Sequence, residues 1–200
     1  MILREEGGYT FSQIFELTFE TEEILAELGY QYKITPLELA QSTSASPETI
    51  LLLRQQMRDR LPHVALTSET ARREFYVTPV LFMLLDQVKF RLSIEYTVTG
   101  NRLRGAIDYV LRGENEVLVI EAKQADMERG FNQLAAEMIA LSEQRPDASA
   151  LLYGAVTTGD LWRFGILDRA QRMILKDLDE YLLPRDLETL FGIMLQLMNS

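Results

Sequence analysis

A predicted β-hairpin near the middle of the chain constrains the fold more than any other feature. Residues 104–112 and 117–123 both have the composition and alternation of β-strands, and four polar residues, Gly-Glu-Asn-Glu, separate them at 113–116. Two strand-like runs joined by a short loop that contains glycine predict an antiparallel pair. A segment with helical periodicity, which carries Gln133, follows the second strand. The loop position therefore fixes which residues of the two strands face each other.

The register of this hairpin brings two carboxylates together. With Arg112 opposite Val117, Asp108 is opposite Glu121, and Lys123 lies two residues further along on the same face. Directly opposed side chains have Cβ atoms about 4.5–5.5 Å apart, where like charges destabilise the pair. Two carboxylates in this arrangement require a cation. Lys123 supplies one positive charge, and a divalent metal ion would supply more.

These residue types suit metal-assisted hydrolysis of a phosphodiester. Asp108, Glu121 and the carbonyl of Ala122 offer oxygen ligands of the kind that Mg²⁺ or Mn²⁺ accepts. A bound divalent ion lowers the pKa of its water and clamps phosphate oxygens, and Lys123 can orient that water or stabilise developing charge. The alternative is a structural ion pair between Lys123 and one carboxylate at a strand end. The apolar residues 117–120 and the helix that follows favour the metal site.

The charge distribution leaves a nucleic-acid partner open. The net charge of −10 argues against nonspecific DNA binding, which depends on basic surface. Residues 1–40 carry eight acidic side chains and two basic ones, whereas residues 54–112 carry ten basic and six acidic ones, a local charge of +4. This local excess predicts a basic face on an acidic protein; ordinary solvated helix surfaces are the other explanation.

Several classes of protein are disfavoured by what the sequence lacks. There is no cysteine and a single histidine, His63, so thiolate and multi-histidine metal sites are excluded. No apolar run reaches about 18 residues, so we expect no membrane span. The first residues do not form a basic segment followed by an apolar one, so we expect no secretory signal and a cytoplasmic protein.

The remaining patterns predict an α/β fold with a mixed central sheet flanked by helices. Residues 1–66 are expected to form a helical appendage packed on the core, and residues 67–200 the main domain. Ser68 is expected to cap a helix that has Glu69 in its first turn and is kinked or restarted at Pro79. The predicted order is helix, three strands, helix and strand, at residues 68–84, 91–99, 103–111, 117–123, 125–144 and 150–156.

An apolar helix is predicted at residues 186–198. Its apolar residues are numerous enough to indicate a homodimer contact through this C-terminal helix. Burial of the same residues against the sheet is the alternative.

This order of elements, with Asp108 in the second strand of the three and Glu-Ala-Lys closing the third at 121–123, resembles the PD-(D/E)XK nuclease superfamily, also called restriction-endonuclease-like. Within it, the resemblance is nearest to the nuclease domain of type I restriction enzyme R subunits, through the helix opening Ser-Glu-Thr-Ala-Arg-Arg at 68–73 and Pro79 beyond it. The resemblance covers residues 67–166. Ile107 stands where the motif name has proline.

The resemblance implies a restriction-endonuclease-like αβββαβ core and a Mg²⁺-dependent endonuclease that acts on DNA, in restriction, defence or a mobile element. It implies that Asp108 and Glu121 bind the metal, that Lys123 acts on the attacking water and that Gln133 helps to organise the site. Glu69 would be the first-helix acid, and Glu74 is the alternative for that role. From position alone, Gln133 could equally face solvent, and capping would explain Glu69. A second function consistent with the chain is a catalytically silent module that binds a protein or nucleic acid.

Overall fold

The computed structural model describes residues 8–43, 45–113, 117–122, 126–145 and 149–199. Its strands are β1 (Tyr9–Thr10), β2 (Gln31–Thr35), β3 (Arg91–Thr99), β4 (Leu103–Arg112), β5 (Val117–Ala122), β6 (Leu151–Thr157), β7 (Leu161–Asp168), β8 (Met173–Asp177) and β9 (Tyr181–Leu182). Its helices are α1 (Phe11–Phe15), α2 (Thr21–Glu27), α3 (Pro47–Arg60), α4 (Glu69–Arg72), α5 (Thr78–Gln87), α6 (Met127–Gln144) and α7 (Leu187–Asn199). A 3-10 turn follows α3 at Leu61–His63, and a π-helical turn at Arg73–Val77 joins α4 to α5.

In the described part of the chain, nine strands form one mixed sheet. Its path runs β1, β4, β5, β6, β7, β8 and β2, with β3 paired to β4 and β9 to β7. The parallel pairs are β1 with β4, β5 with β6, and β2 with β8. Helices cover both faces, because the buried apolar residues form one cluster with α5 and α7 and a second one with α1, α2 and α6. The predicted α/β class, with a mixed sheet flanked by helices, is confirmed.

The predicted order of helix, three strands, helix and strand is also confirmed. The hairpin has the predicted register, with Arg112 opposite Val117 and Tyr109 opposite Ile120. Pro79 restarts the helix as predicted, and the reason is visible in the backbone. Proline has no N–H to donate, and the helix adapts with a wider turn in which the Thr78 N–H reaches back to the Arg73 carbonyl.

Residues 1–66 were predicted to form a helical appendage. In addition to helices, this segment supplies two strands to the sheet. β1 pairs with the start of β4, and β2 forms a five-residue parallel ladder with β8. The alternation of Tyr30, Tyr32 and Ile34 predicts a short strand locally, but parallel partners so distant in the sequence leave no local sign of the sheet that they join. A domain boundary at residue 66 stays a prediction.

The apolar side chains of α7 are buried within the chain. Leu187, Leu190, Ile193 and Met194 are fully buried in the cluster that also contains α5. The observation that suggested a homodimer contact is therefore explained by intramolecular packing, and a dimer stays a prediction. Within the described residues, no helix is both long and apolar enough to cross a lipid bilayer.

Two glycines let α6 lie close against the sheet. A Cβ added at Gly154 would come within 2.7 Å of Met138 Sδ, and one at Gly165 within 2.8 Å of Phe131 Cε2. These distances are shorter than van der Waals contact, so a side chain at either position would push the helix away. The residues of α6 from Gly130 to Ser142 are all buried. The close approach therefore sets where the polar side chains of this helix meet the sheet.

We expect Gly154→Ala to destabilise the protein by about 1–3 kcal/mol, because the added methyl group overfills a packed core. Urea denaturation followed by far-UV circular dichroism measures this. In the double variant with Met138→Ala, the shortened side chain makes room for the added methyl group. The double variant should therefore lose less free energy of unfolding than the sum of the losses in the two single variants. Strict additivity would contradict the proposed contact.

Candidate active site

The candidate site lies where β4 and β5 stop pairing. In the described residues, the ladder between these strands ends at Tyr109 and Ile120. On the other side of β4, bridging pairs flank Asp108 but do not include it, and the residue opposite it is Glu95, which has a φ of 51°. A left-handed backbone is uncommon for a residue other than glycine. Asp108 therefore sits at a break in the sheet on both of its edges.

The Asp108 side chain fills this break. Its Oδ2 accepts a hydrogen bond of 2.9 Å from the backbone N–H of Ala122, which lies beyond the end of the ladder. Its Oδ1 accepts one of 3.1 Å from Arg73 Nη1 in the π-helical turn. The side chain is 17% exposed, so this ion pair is largely shielded from water. Asp108 thus joins the end of β5 to the first helix of the core.

Glu121, the predicted partner of Asp108, is almost completely buried and faces α6. Its Oε1 accepts a hydrogen bond of 2.8 Å from Gln133 Nε2. The same nitrogen donates a second bond, also of 2.8 Å, to Glu137 Oε1 one turn further along the helix. Gln133 is buried as well, so the alternative that it faces solvent is wrong. Its amide group connects two carboxyl groups inside the protein.

Glu137 was not predicted and is the most buried acid of the site, with no exposed surface. Burial raises its pKa well above the usual 4.5, and the nearby charge of Glu121, a hydrogen bond with Glu121 and the charge of Asp108 raise it further. Glu137 therefore keeps its proton to a higher pH than an exposed glutamate does. We name Asp108, Glu121 and Glu137 together the carboxylate cluster.

Glu69 lies at the edge of this arrangement. It is half-buried in the first turn of α4, where Ser68 caps the helix by accepting a hydrogen bond of 3.1 Å from the Ala71 N–H, as predicted. Burial lowers the pKa of Arg73, but its hydrogen bond to Tyr109 and the charges of Asp108, Tyr109 and Glu69 outweigh this and raise it. Glu69 therefore belongs to the electrostatic surroundings of Arg73. Glu74, the alternative first-helix acid, is exposed.

The beginning of α6 is held by ion pairs to strands β7 and β8. Lys176 of β8 is buried, forms an ion pair with Glu128 in the first turn of α6 and lies 5.2 Å from the centre of the Phe131 ring. Arg163 of β7 also pairs with Glu128, at 3.1 Å. These contacts fix the rotation of the helix, so Gln133 and Glu137 point towards the end of β5.

The predicted residues fall into two groups. Asp108 with the backbone N–H of Ala122 forms one hydrogen-bonded group, and Glu121 with Gln133 forms the other. Lys123 lies outside the described residues. Among the described residues, no group of three or more His, Cys, Asp and Glu side chains is arranged to hold a metal ion. The predicted set contains two carboxylates and a backbone carbonyl.

Two members of the site were missed by the sequence reasoning, although each has a signal in the sequence. Glu137, four residues after Gln133, interrupts the otherwise apolar run 134–141, and a charge on a buried helix face indicates a functional or paired group. Arg73 is one helical turn after Glu69. Its contact with Asp108 depends on how the helix lies over the sheet, which no local pattern determines.

Comparison with known proteins gives no family assignment, because no family model and no curated protein matches the chain.

Replacing Glu137 with glutamine should stabilise the protein increasingly as the pH rises above 4.5. A carboxyl group whose pKa is raised on folding holds its proton longer in the folded state than in the unfolded state. The wild-type free energy of unfolding then falls with rising pH between the two pKa values, by up to about 1.4 kcal/mol per pH unit. Glutamine keeps the hydrogen bonds and has no proton to lose.

This is measured by urea denaturation of both proteins from pH 4 to pH 9, with the exposed Glu74→Gln as the control variant. The difference in free energy of unfolding between Glu137→Gln and wild type should grow with pH, whereas the difference between the control and wild type should stay constant. A pH-independent difference for Glu137→Gln would mean that Glu137 does not carry a proton in the folded protein.

Proposed function

We propose that the chain is a divalent-metal-dependent endonuclease that hydrolyses phosphodiester bonds in DNA. The observation that carries this proposal is that Asp108 bonds to the strand end that carries Glu121, at the point where β4 and β5 separate. Asp108 reaches the backbone of Ala122, the neighbour of Glu121, and the charge of Asp108 acts on the carboxyl group that Glu121 contacts. Acids gathered in this way, in a shielded place, are typical of functional sites.

The donors suit Mg²⁺ or Mn²⁺. Asp108 and Glu121, with the Ala122 carbonyl, would hold the ion through oxygen atoms, which both metals prefer. Asp108 already binds a cationic group, Arg73, and the two buried acids Glu121 and Glu137 add negative charge that attracts a cation. A metal ion held there would lower the pKa of a bound water and neutralise charge on phosphate oxygens.

The residues of the chain have separate tasks in this proposal. Gln133 fixes the orientation of the Glu121 carboxylate, and Glu137 supports Gln133 from the other side. Such supporting hydrogen bonds tune metal ligands. Lys123, as the resemblance implies, would orient the attacking water. Glu69 would contribute negative charge through Arg73.

The architecture is consistent with a restriction-endonuclease-like core. Three antiparallel strands, β3 to β5, are followed by α6 and by β6 parallel to β5. Residues 54–112 carry a local charge of +4, and Arg73 of this segment forms an ion pair with Asp108. We therefore propose DNA as the substrate and restriction, defence or a mobile element as the context.

A catalytically silent binding module is the second candidate. Residues 8–40 expose Glu16, Glu20, Glu22, Glu23 and Glu38, and such an acidic surface favours a protein partner. In addition, Arg73 and Gln133 already provide hydrogen bonds to the acids. Hydrogen bonds of this kind are consistent with a purely structural role of the acids.

Cleavage of DNA tests the first candidate. With Mg²⁺ or Mn²⁺, the purified protein should cleave DNA, and Asp108→Asn or Lys123→Ala should slow cleavage by at least about a hundredfold, because each removes a group that acts on the reacting phosphate or water. Gel electrophoresis of plasmid and linear DNA measures this. The exposed Asp86→Asn should cleave at the wild-type rate. If circular dichroism shows that Asp108→Asn is unfolded, its loss of cleavage carries no information, and the cleavage rate of Lys123→Ala decides the test.

Metal binding separates the two candidates. Calorimetric titration with Mn²⁺ should show binding to the wild-type protein and at least about tenfold weaker binding to Glu121→Gln, which keeps the shape of the side chain but loses the charge. Equal binding by both proteins would rule out Glu121 as a ligand. Absence of cleavage and of metal binding, together with thermal stabilisation by a co-purified protein, would favour the binding module.

A further inference from the structure

Two adjacent arginines on the first helix of the core have different partners. Arg72 Nη1 donates hydrogen bonds of 3.0 Å to Asp160 Oδ1 and 3.2 Å to the Thr158 carbonyl, so it attaches the helix to the loop between β6 and β7. Arg73 Nη1 instead donates to Asp108 in the carboxylate cluster. Arg72 therefore secures the structure, whereas Arg73 neutralises an acid of the candidate active site.

Arg73 is held in place by a second residue that is independent of Asp108. Its Nε donates a hydrogen bond of 3.2 Å to the Tyr109 hydroxyl, and its guanidinium carbon lies 5.1 Å from the centre of the Tyr109 ring. Nη2 donates no hydrogen bond to any residue in the described part of the chain. If Asp108 were to bind another cation, Tyr109 would still hold Arg73 beside the site, and Nη1 would be released. A guanidinium group with two adjacent nitrogens available matches the geometry of a phosphate.

We propose, building on the endonuclease function above, that Arg73 is a phosphate-binding residue that occupies Asp108 until a divalent cation takes its place. In the metal-free protein, Arg73 neutralises Asp108. With a cation on Asp108, the released Nη1 and its neighbour Nη2 would bind an oxygen pair of the nucleic-acid phosphate, while Tyr109 keeps the guanidinium in position.

The electrostatics couple the two events. Arg73 and a divalent cation compete for one carboxylate and repel each other, so Arg73 opposes metal binding in the absence of nucleic acid. A phosphate group placed between them attracts both and removes the repulsion. The site therefore binds metal and nucleic acid together better than it binds either alone, which is a coupling between two ligands.

Metal affinity provides the first test. Calorimetric titration of Mn²⁺ without DNA is compared for wild type, Arg73→Gln and the matched control Arg72→Gln. Removing the competing charge-assisted hydrogen bond should tighten Mn²⁺ binding to Arg73→Gln by about tenfold or more, whereas Arg72→Gln should bind as the wild type does. Unchanged or weaker binding by Arg73→Gln would overturn the proposal, since Arg73 would then hold Asp108 in position for the metal. If Arg73→Gln does not fold, Arg73→Lys, which keeps the charge and loses the fork, should show a smaller tightening.

DNA affinity without metal provides the second test. Fluorescence anisotropy with a short labelled DNA duplex in the presence of a chelator is used to compare Asp108→Asn with the double variant Asp108→Asn/Arg73→Gln. Loss of the Asp108 charge frees Arg73, so the single variant should bind DNA about tenfold more tightly than the wild type, and the double variant should lose this gain. Asp160→Asn, which frees Arg72 instead, is the control for a general change in charge. Equal gains in all three variants would overturn the phosphate role.

The results of these two tests distinguish a failure of the Arg73 inference from a failure of the endonuclease proposal. A protein that behaves as expected in both but does not cleave DNA would retain the Arg73 inference and lose the enzymatic one. A protein that cleaves DNA, with metal binding unchanged in Arg73→Gln, would retain the enzyme and lose the role of Arg73.

Discussion

The separation of β4 from β5 is the constraint on which the rest of the site depends. Two paired strands leave no room for a side chain at their shared edge, because backbone groups bond to each other there. Once pairing stops at Tyr109 and Ile120, the Ala122 N–H needs another acceptor, and the Asp108 carboxylate provides it. The same opening lets α6 present an amide and an acid to Glu121. The end of the β4–β5 pairing thus provides the position at which the Asp108 carboxylate bonds to the backbone of β5.

The balance of charge explains why the site is stable in the absence of a ligand. Asp108 is neutralised by Arg73, the two buried acids share the Gln133 amide group, and burial raises the pKa of Glu137. Leaving buried carboxylates unpaired would cost several kcal/mol each, so these partners are structurally necessary.

The local part of this arrangement could be predicted from sequence and the distant part could not. The position of the polar loop was enough to fix the hairpin register, and with it the pairing of Arg112 with Val117. The lack of an N–H in Pro79 was enough to place the restart of the helix. By contrast, Arg73 reaches Asp108, and Glu137 reaches Glu121, through the way whole helices lie on the sheet. That placement depends on close contacts such as those at Gly154 and Gly165, which are properties of the assembled core.

The parallel ladder between β2 and β8 has a consequence for synthesis on the ribosome. Gln31 pairs with Met173, so β2 emerges long before its partner exists. Until then, Tyr32 and its neighbours have no sheet to join, and the nascent chain must carry this segment unpaired. Contacts of such long sequence separation slow folding, and an unpaired strand is exposed to intermolecular association. The acidic residues that flank β2, with Glu22, Glu23 and Glu38 exposed, would keep neighbouring nascent chains apart during this interval.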